Sequence, residues 1–365
     1  VKFRCERDVL VEALATAGRA VSTRGGALPV LSGVLVELTG DNLRLTGSDL
    51  DLTITVERVV DGESDGVAVL PAKLASDIVR SFKSGAVQVE IDGEQAHLSV
   101  GRSEFSLRLL AAEEYPRFER PTTDPVTLDA ESLSHALKQV IPAASSDDSR
   151  PILTGVLLAA EDTGLRLVAT DSYRLAVRDL FDAVGVLAEG QHVLVPSRAL
   201  QELARVLGTG KEVQVRLGSR DASFEVGGVQ LTTRLIEGEF PNYRGLIPKS
   251  QPNRLTVERD AFLEALRRVR LMAQEATPVR VVMSADGLEL RAITQDVGQA
   301  HEDIDADYDG QELTVAFNPQ YLLDGVEVAG GERITLETVD ALKPALVRTE
   351  GRDDFLYLLM PVRVS

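Results

Sequence analysis

Residues 165–180, LRLVATDSYRLAVRDL, constrain what this chain can fold into more than any other stretch. Leu165 and Leu167 alternate with Arg166 and Val168, and Ala176 with Val177 resumes an extended run after Asp171-Ser172-Tyr173. That is the pattern of strand, tight turn, strand. The same arrangement occurs at residues 43–55, LRLTGSDLDLTIT, where Ser48-Asp49 falls on Thr170-Asp171 at an offset of 122. A weaker third copy, Leu288-Glu289-Leu290-Arg291-Ala292, lies 123 residues after the second. A hairpin returning at that interval predicts three copies of one domain.

Each copy repeats the same order of elements. In the first, Leu10, Ala13, Leu14, Ala17 and Val21 predict a helix over 8–21. A Gly-rich turn at 22–27, strands at 35–38 and 43–60 and a polar loop at 61–66 follow. Pro71 then leads a second helix whose stripe is Leu74, Ile78, Val79 and Phe82. Strands at 87–91, 96–100 and 104–110 complete the copy, the first two joined by Asp92-Gly93. In the second copy Asp129 caps a helix bearing Leu133, Ala136, Leu137, Val140 and Ile141, and Pro142 ends it. Pro196, 125 residues after Pro71, leads a helix with Leu200, Leu203, Ala204 and Leu207 on one face. The third copy has Phe262, Ala265, Leu266, Val269 and Met272 on its first helix and a shorter helix around 321–328. An aromatic-proline tag closes copy one as Glu114-Tyr115-Pro116-Arg117-Phe118 and copy two as Glu239-Phe240-Pro241-Asn242-Tyr243, and Leu359-Met360-Pro361 closes copy three. The expectation is an α+β fold of three repeated domains, 1–121, 122–249 and 250–365, each with two helices and antiparallel sheets.

Composition limits the function classes. Hydrophobic residues make up 44% of the 365 and charged ones 26%, as in a globular chain without a run of membrane-spanning length. The start lacks the basic, apolar and small-residue order of a signal peptide, and Cys5 is the only cysteine. No intrachain disulfide, no membrane partner and a cytoplasmic location are therefore expected. The net charge of −18 argues against a simple basic nucleic-acid binder, but the field that matters is the local one. Over the predicted helices Lys and Arg number 12 against 9 Asp and Glu. Helices lining one surface would then meet phosphate with a locally positive wall, whereas helices apart would be ordinary solvated faces. Aromatic residues are 4% with no Trp, so base stacking and sequence readout are not supported.

Candidates for catalysis are thin. His97, His135, His192 and His301 show no ligand spacing, Cys5 has no neighbouring His, and no phosphate loop, nucleophile elbow or dinucleotide fingerprint occurs. No metal, cofactor or catalytic residue is expected. Asp49 and Asp51 share a strand face as paired carboxylates would, or simply form a turn leading to an exposed strand.

The three repeats, the TDSYRLAV hairpin, the EFPNYRGLIP tag and the ending YLLMPVRVS together resemble the bacterial replicative sliding clamp, the beta subunit of DNA polymerase III, over essentially the whole chain. The resemblance implies a non-catalytic processivity factor. Its chain is half of a six-domain ring, a head-to-tail homodimer whose helices face duplex DNA held without sequence preference. It also implies partners that dock by short linear motifs: the polymerase III alpha subunit, the clamp loader, other polymerases and repair proteins.

Carried onto this sequence, the family's peptide-binding pocket comprises Leu153, Thr170, Ser172, Tyr173, Arg174, Leu175, Pro241, Arg244, Gly245, Leu246, Leu358, Leu359, Met360, Pro361, Val362 and Arg363. Leu153, Leu175, Leu246, Leu358, Met360 and Val362 would make an apolar cleft, and the same aliphatics also read as plain core. The implied DNA contacts are Arg24, Lys73, Arg80, Lys138, Arg150, Arg198 and Arg205. At the subunit boundary the resemblance sets Arg102 and Phe105 against Leu271, Met272, Glu302 and Asp303 of the other chain. The chain departs from the family at Ser172-Tyr173-Arg174, where a Gly-His/Tyr-Arg turn is common. It departs also at Gly245, at a position that accepts arginine, and in Val364 and Ser365 beyond the Met-Pro-x-Arg ending. A shifted partner preference is expected. The competing readings are a repeat-built protein–protein scaffold without DNA and a hydrolase using Asp49 and Asp51.

Overall fold

The computed structural model describes residues 1–22, 28–181, 183–273 and 277–363. The chain divides into two compact units, Val1–Glu131 with Arg198–Leu235, and Ser132–Ser197 with Ile236–Ser365. Six α-helices occur among the described residues: α1 (Arg7–Gly18), α2 (Ala72–Ser81), α3 (Ala130–Val140), α4 (Ser197–Val206), α5 (Arg259–Arg270) and α6 (Pro319–Ala329). None is long and apolar enough to cross a membrane.

Every sheet is antiparallel. In the first unit one has five strands, ordered Asp61–Ser64, Lys2–Glu6, Ala86–Asp92, Gln95–Val100 and Ser103–Arg108. The other has eight: Val126–Asp129, Glu212–Leu217, Asp221–Val226, Val229–Arg234, Leu52–Val59, Asn42–Ser48, Gly33–Thr39 and Gly66–Pro71. The second unit repeats the scheme. Nine strands run His192–Pro196, Gly155–Glu161, Gly164–Thr170, Arg174–Phe181, Phe355–Leu359, Ala345–Thr349, Arg333–Thr338, Asn253–Glu258 and Ala306–Asp309, and four run Gly298–Ile304, Gly287–Thr294, Val279–Ser284 and Leu313–Phe317. The large sheets thus join strands of two successive repeats through a single seam, Val229–Arg234 on Leu52–Val59 and Phe355–Leu359 on Arg174–Phe181.

The predicted hairpins are in place, and their turns carry a common signature. Leu50, Ser172 and Asp296 are the only non-glycine residues with positive φ among those described, and one stands in the hairpin turn of each repeat. Three strands of repeat one, Gly33–Thr39, Asn42–Ser48 and Leu52–Val59, recur 122 residues later with identical bounds.

Packing corrects several details. The stretch at 61–66 is a strand rather than a loop: Asp61–Ser64 pairs with Lys2–Glu6 at a sheet edge, where polar, mostly exposed side chains are the rule. Helix α1 stops at Gly18 because Arg19 and Ala20 donate to the carbonyls of Thr16 and Ala17, tightening the last turn. On α2 the buried positions are Ala72, Ala75, Ile78 and Val79, and Leu74, one turn before Ile78, is half exposed at the margin of that face. Arg19 and Lys83 fall beyond the helix ends, so the six helices as they stand hold 10 basic and 9 acidic residues, a thinner excess than the sequence ranges suggested. Helix pairs are tied at their ends by arginine. Arg7 Nη2 donates to the Arg80 carbonyl near the end of α2, and Arg259 Nη1 donates to the Glu327 carbonyl on α6 at 3.2 Å. Arg259 is therefore turned inward rather than presented on an exposed face.

Helix α1 crosses its sheet closely at Gly47, where an added Cβ would land on the carbonyl oxygen of Ala17. Backbone cannot yield as a side chain can, so Gly47→Ala should destabilise the first unit by about 1–3 kcal/mol in a urea melt. Asp354 gives a pH-dependent counterpart in the second unit. Burial works against its ionised form, but hydrogen bonds and charge from Arg352 and Arg178 prevail and hold its carboxyl below the usual range. A lowered folded-state pKa means that stability is present above the unfolded-state value and lost as pH falls through the folded one. Asp354→Asn should therefore cost about 1.5–3 kcal/mol near neutral pH. In melts followed downward in pH, the gap to the unsubstituted chain should close only in the acid range.

Candidate partner-docking site

The turn of the second repeat is built by two side chains. Asp171 Oδ1 accepts from the Tyr173 and Arg174 amides at 2.9 and 3.0 Å, and its Oδ2 accepts from Arg174 Nε at 3.1 Å. Thr170 Oγ1 accepts from the Ser172 amide at 3.2 Å and donates to the Arg174 carbonyl at 2.7 Å. These bonds carry Ser172 through φ +80° and fix where the next strand begins. In repeat one, Asp49 Oδ1 accepts from the Asp51 and Leu52 amides at 3.1 and 2.8 Å, and Ser48 Oγ accepts from Leu50 at 3.2 Å. Asp49 also accepts from Arg198. The carboxylate offered as half of an acid/base pair is a turn-former, and the hydrolase reading loses its support.

The turn sets the register for the docking surface. Leu175 lies opposite Leu358 and Val177 opposite Leu356 across the seam, so these four share one sheet face. They belong to a buried cluster with Leu157, Val168, Leu194, Tyr243 and Leu346, against which Ile152, Phe240 and Ile247 pack part-buried. Around it stand exposed side chains: Tyr173 (57%), Leu246 (51%), Met360 and Val362 (39% each). The Met360 amide donates to the Tyr173 carbonyl at 2.9 Å and the Val362 amide to Ala316 at 2.7 Å, which pins the last residues alongside the turn. Pro241, Arg244 and Gly245 are exposed on the segment that includes the 3-10 turn Tyr243–Leu246. Arg244 pairs with Glu161 and lies over the Tyr243 ring at 5.4 Å. Leu153 is buried in the 3-10 turn Pro151–Thr154, Ser172 and Arg363 are exposed, and Pro361 is half-buried.

Two expected members do not join this face. Arg174 pairs with Leu359 in the ladder, so both point to the opposite side of the sheet. There the Arg174 guanidinium lies 4.3 Å over the Tyr321 ring of α6 and pairs with Asp324, and Leu359 is fully buried. Sequence reasoning missed Val177 and Leu346. The signal for Val177 was present in its two-residue spacing from Leu175; Leu346 needed the ladder that sets it opposite Leu358.

Of the expected DNA-facing residues, Arg24 lies outside the described residues. Lys73, Arg80, Lys138, Arg150, Arg198 and Arg205 are all exposed. Arg198 pairs with Asp49, Arg205 with Glu202 at 3.3 Å, Arg150 with Asp147 at 3.2 Å and Arg80 with Asp77 at 3.9 Å. Arg102 and Phe105 are exposed at the edge strand Ser103–Arg108, and Phe105 meets Phe82 edge-on at 5.5 Å. Leu271 is 83% exposed, Met272 half-buried and Asp303 exposed, while Glu302 is held by Arg268 at 2.5 and 2.9 Å. Glu289, His301 and Asp303 bring possible metal-ligand atoms within 4.8 Å of one another, but Glu289 is bound by Arg291 and its carboxyl is held low by that bond.

Three family models describe this chain in succession: the N-terminal domain of the DNA polymerase III beta subunit over residues 1–119, the central domain over 127–242 and the C-terminal domain over 244–363. A beta sliding clamp from Streptomyces coelicolor is 35% identical across the full length of both chains. One from Staphylococcus aureus is 29% identical over 86% of this chain and 85% of its own. Among solved structures, the DNA polymerase sliding clamp of Bacillus subtilis superposes with a TM-score of 0.92 at 30% identity, covering 100% of this chain and 99% of that one. A sliding clamp from Pseudomonas aeruginosa bound to griselimycin gives 0.92 at 29%, again over 100% and 99%. The chain belongs to the DNA polymerase III beta subunit family, the bacterial beta sliding clamps.

Proposed function

We propose that this non-catalytic clamp works as a closed homodimeric ring around duplex DNA in the bacterial cytoplasm, and that it tethers its partners through the surface beside the Thr170–Leu175 turn. Those partners are the polymerase III alpha subunit, the clamp loader, and other polymerases and repair proteins, each presenting a short extended motif. The observation that carries the docking reading is the apolar cluster around Leu175, Val177 and Leu358, rimmed by exposed Tyr173, Leu246, Met360 and Val362. Aliphatic motif side chains gain burial there, and the flexible Met360 adapts to different ones.

The sheets support ring closure. Each unit holds one large sheet that spans two repeats and one small sheet left short, with five strands in the first unit and four in the second. The bare edges Ser103–Arg108 and Gly298–Ile304 carry Phe105 and the Glu302-Asp303 pair, so edge-to-edge pairing between two chains would complete a nine-stranded sheet like the one already present. Arg102 supplies charge opposite Asp303, and Leu271 and Met272 the apolar contact. The three domains are taken as 1–121, 122–249 and 250–365. Lys73, Lys138, Arg80, Arg150, Arg198 and Arg205, with Arg24, make weak phosphate contacts, because topology rather than affinity retains the DNA.

Met360→Ala combined with deletion of residues 361–365 should abolish calorimetric binding of a peptide from the polymerase alpha subunit while the dimer mass persists in light scattering. Unchanged affinity would refute the docking site. Retention on nicked circular DNA should vanish when the circle is linearised, and equal retention on both would refute the ring and favour a scaffold without topological linkage.

A further inference from the structure

The first unit contains a groove of about 490 Å³ that no function above uses. Its walls include Leu35, Arg44, Tyr115 and Phe118, and it lies on the strand pair that corresponds to the docking hairpin. The correspondence holds position by position. Thr53 faces Thr232 and Thr55 faces Gln230 across the seam of the eight-stranded sheet, as Leu175 faces Leu358 and Val177 faces Leu356 in the nine-stranded one. Thr46 is opposite Thr55 as Val168 is opposite Val177. The edge matches too: Arg44 reaches Glu57 at 3.8 Å where Arg166 grips Asp179 at 2.6 and 2.8 Å. The aromatic tags sit alike, with Tyr115 and Phe118 edge-on at 6.3 Å and Phe240 and Tyr243 at the same distance.

What differs is the floor. Val168, Leu175, Val177, Leu356 and Leu358 of the docking face are replaced in the twin by Thr46, Thr53, Thr55, Gln230 and Thr232, while Leu157 and Leu194 keep aliphatic counterparts in Leu35 and Val69. Thr46 and Thr55 bond each other through their hydroxyls at 3.1 Å, and Thr53 bonds Ser48 at 2.8 Å. An aliphatic side chain laid on this floor would strip water from Thr232 and Gln230 and return no hydrogen bond.

We infer that the groove of the first unit is a silenced copy of the docking site, and that Thr46, Thr53, Thr55, Gln230 and Thr232 on its floor, with Asp51 and Arg234 on its rim, make it reject aliphatic motifs. Each chain therefore presents one docking site rather than two. This rests on the docking reading above. It assigns the discrimination to these floor positions together with two on the rim, where Asp51 stands for Tyr173 and Arg234 for Met360, since the backbone frame, the flanking ion pair and the aromatic tag are common to both grooves.

The test exchanges the floors in the full chain. T46V/T53L/T55V/Q230L/T232L combined with D51Y/R234M should raise the calorimetric stoichiometry of the polymerase-derived peptide from one to two per chain. The near-isosteric single exchange V177T, whose hydroxyl faces the methyls of Val168 and finds no partner there, should weaken the native site about tenfold. A stoichiometry of one in a seven-fold variant that melts as the parent does would overturn the inference. So would unchanged affinity in V177T, which decides the matter if the larger variant does not fold, and so would two sites in the unsubstituted chain. No binding at all to the unsubstituted chain would instead refute the docking reading on which the inference stands.

Discussion

The docking surface depends on a carboxylate that closes a turn. Asp171 satisfies the amides of Tyr173 and Arg174 with one oxygen and the Arg174 guanidinium with the other, and this fixes where the strand Arg174–Phe181 starts. Because side chains alternate along a strand, a slip of one residue would turn Leu175 and Val177 away from the groove and bring Arg174 and Ala176 into it. The turn therefore decides which residues can meet a partner. The same solution appears in repeat one with Asp49, where the hydrogen bonds have nearly the same lengths. Duplication has kept the register and left the floor free to change.

Arg174 couples this turn to the helix behind the sheet. Its guanidinium is shared by Asp171 and Asp324 and stacks on Tyr321, whose ring also lies against Tyr173 at 6.4 Å between centroids. A cluster of this kind adds little net stability, since desolvating three charges offsets their attraction, but it leaves the turn few alternative positions. Met360 then hangs from the Tyr173 carbonyl, so the chain's last described residues follow the turn. The site is stiff where register matters and exposed where a motif would be read.

Much of this was legible in the sequence, because period-two alternation, proline-led helices and a repeated aromatic-proline tag are local signals that packing reinforces. The strand-turn-strand pattern of the central hairpin and most of the apolar faces of α3 and α5 needed nothing beyond spacing, although Ile141 and Met272 fall just past the helix ends. Tertiary structure decided the rest. Asp61–Ser64 is too polar to look like a strand and becomes one only because an edge needs a single neighbour. Leu74 is left half exposed on α2, where Ala72, Ala75, Ile78 and Val79 take the buried positions. Arg174 and Leu359 were assigned to the groove by the family resemblance, whereas the ladder turns their side chains to the helix side. Leu346 was invisible because its partner, Leu358, lies on the neighbouring strand.

Electrostatics follows the same logic of prior commitment. The chain carries −18 overall, and its helices are nearly balanced in charge, so general attraction to DNA is weak by construction. Among the exposed cations assigned to DNA, Arg80, Arg150, Arg198 and Arg205 each already face a carboxylate. A phosphate would have to compete for each of them, which lowers both affinity and the number of counterions released. In the proposed ring that is an advantage, since closure holds the duplex and tight contacts would only resist sliding. Asp49 shows how economically this is arranged: one oxygen shapes the turn of repeat one, and the carboxylate's other oxygen tempers Arg198.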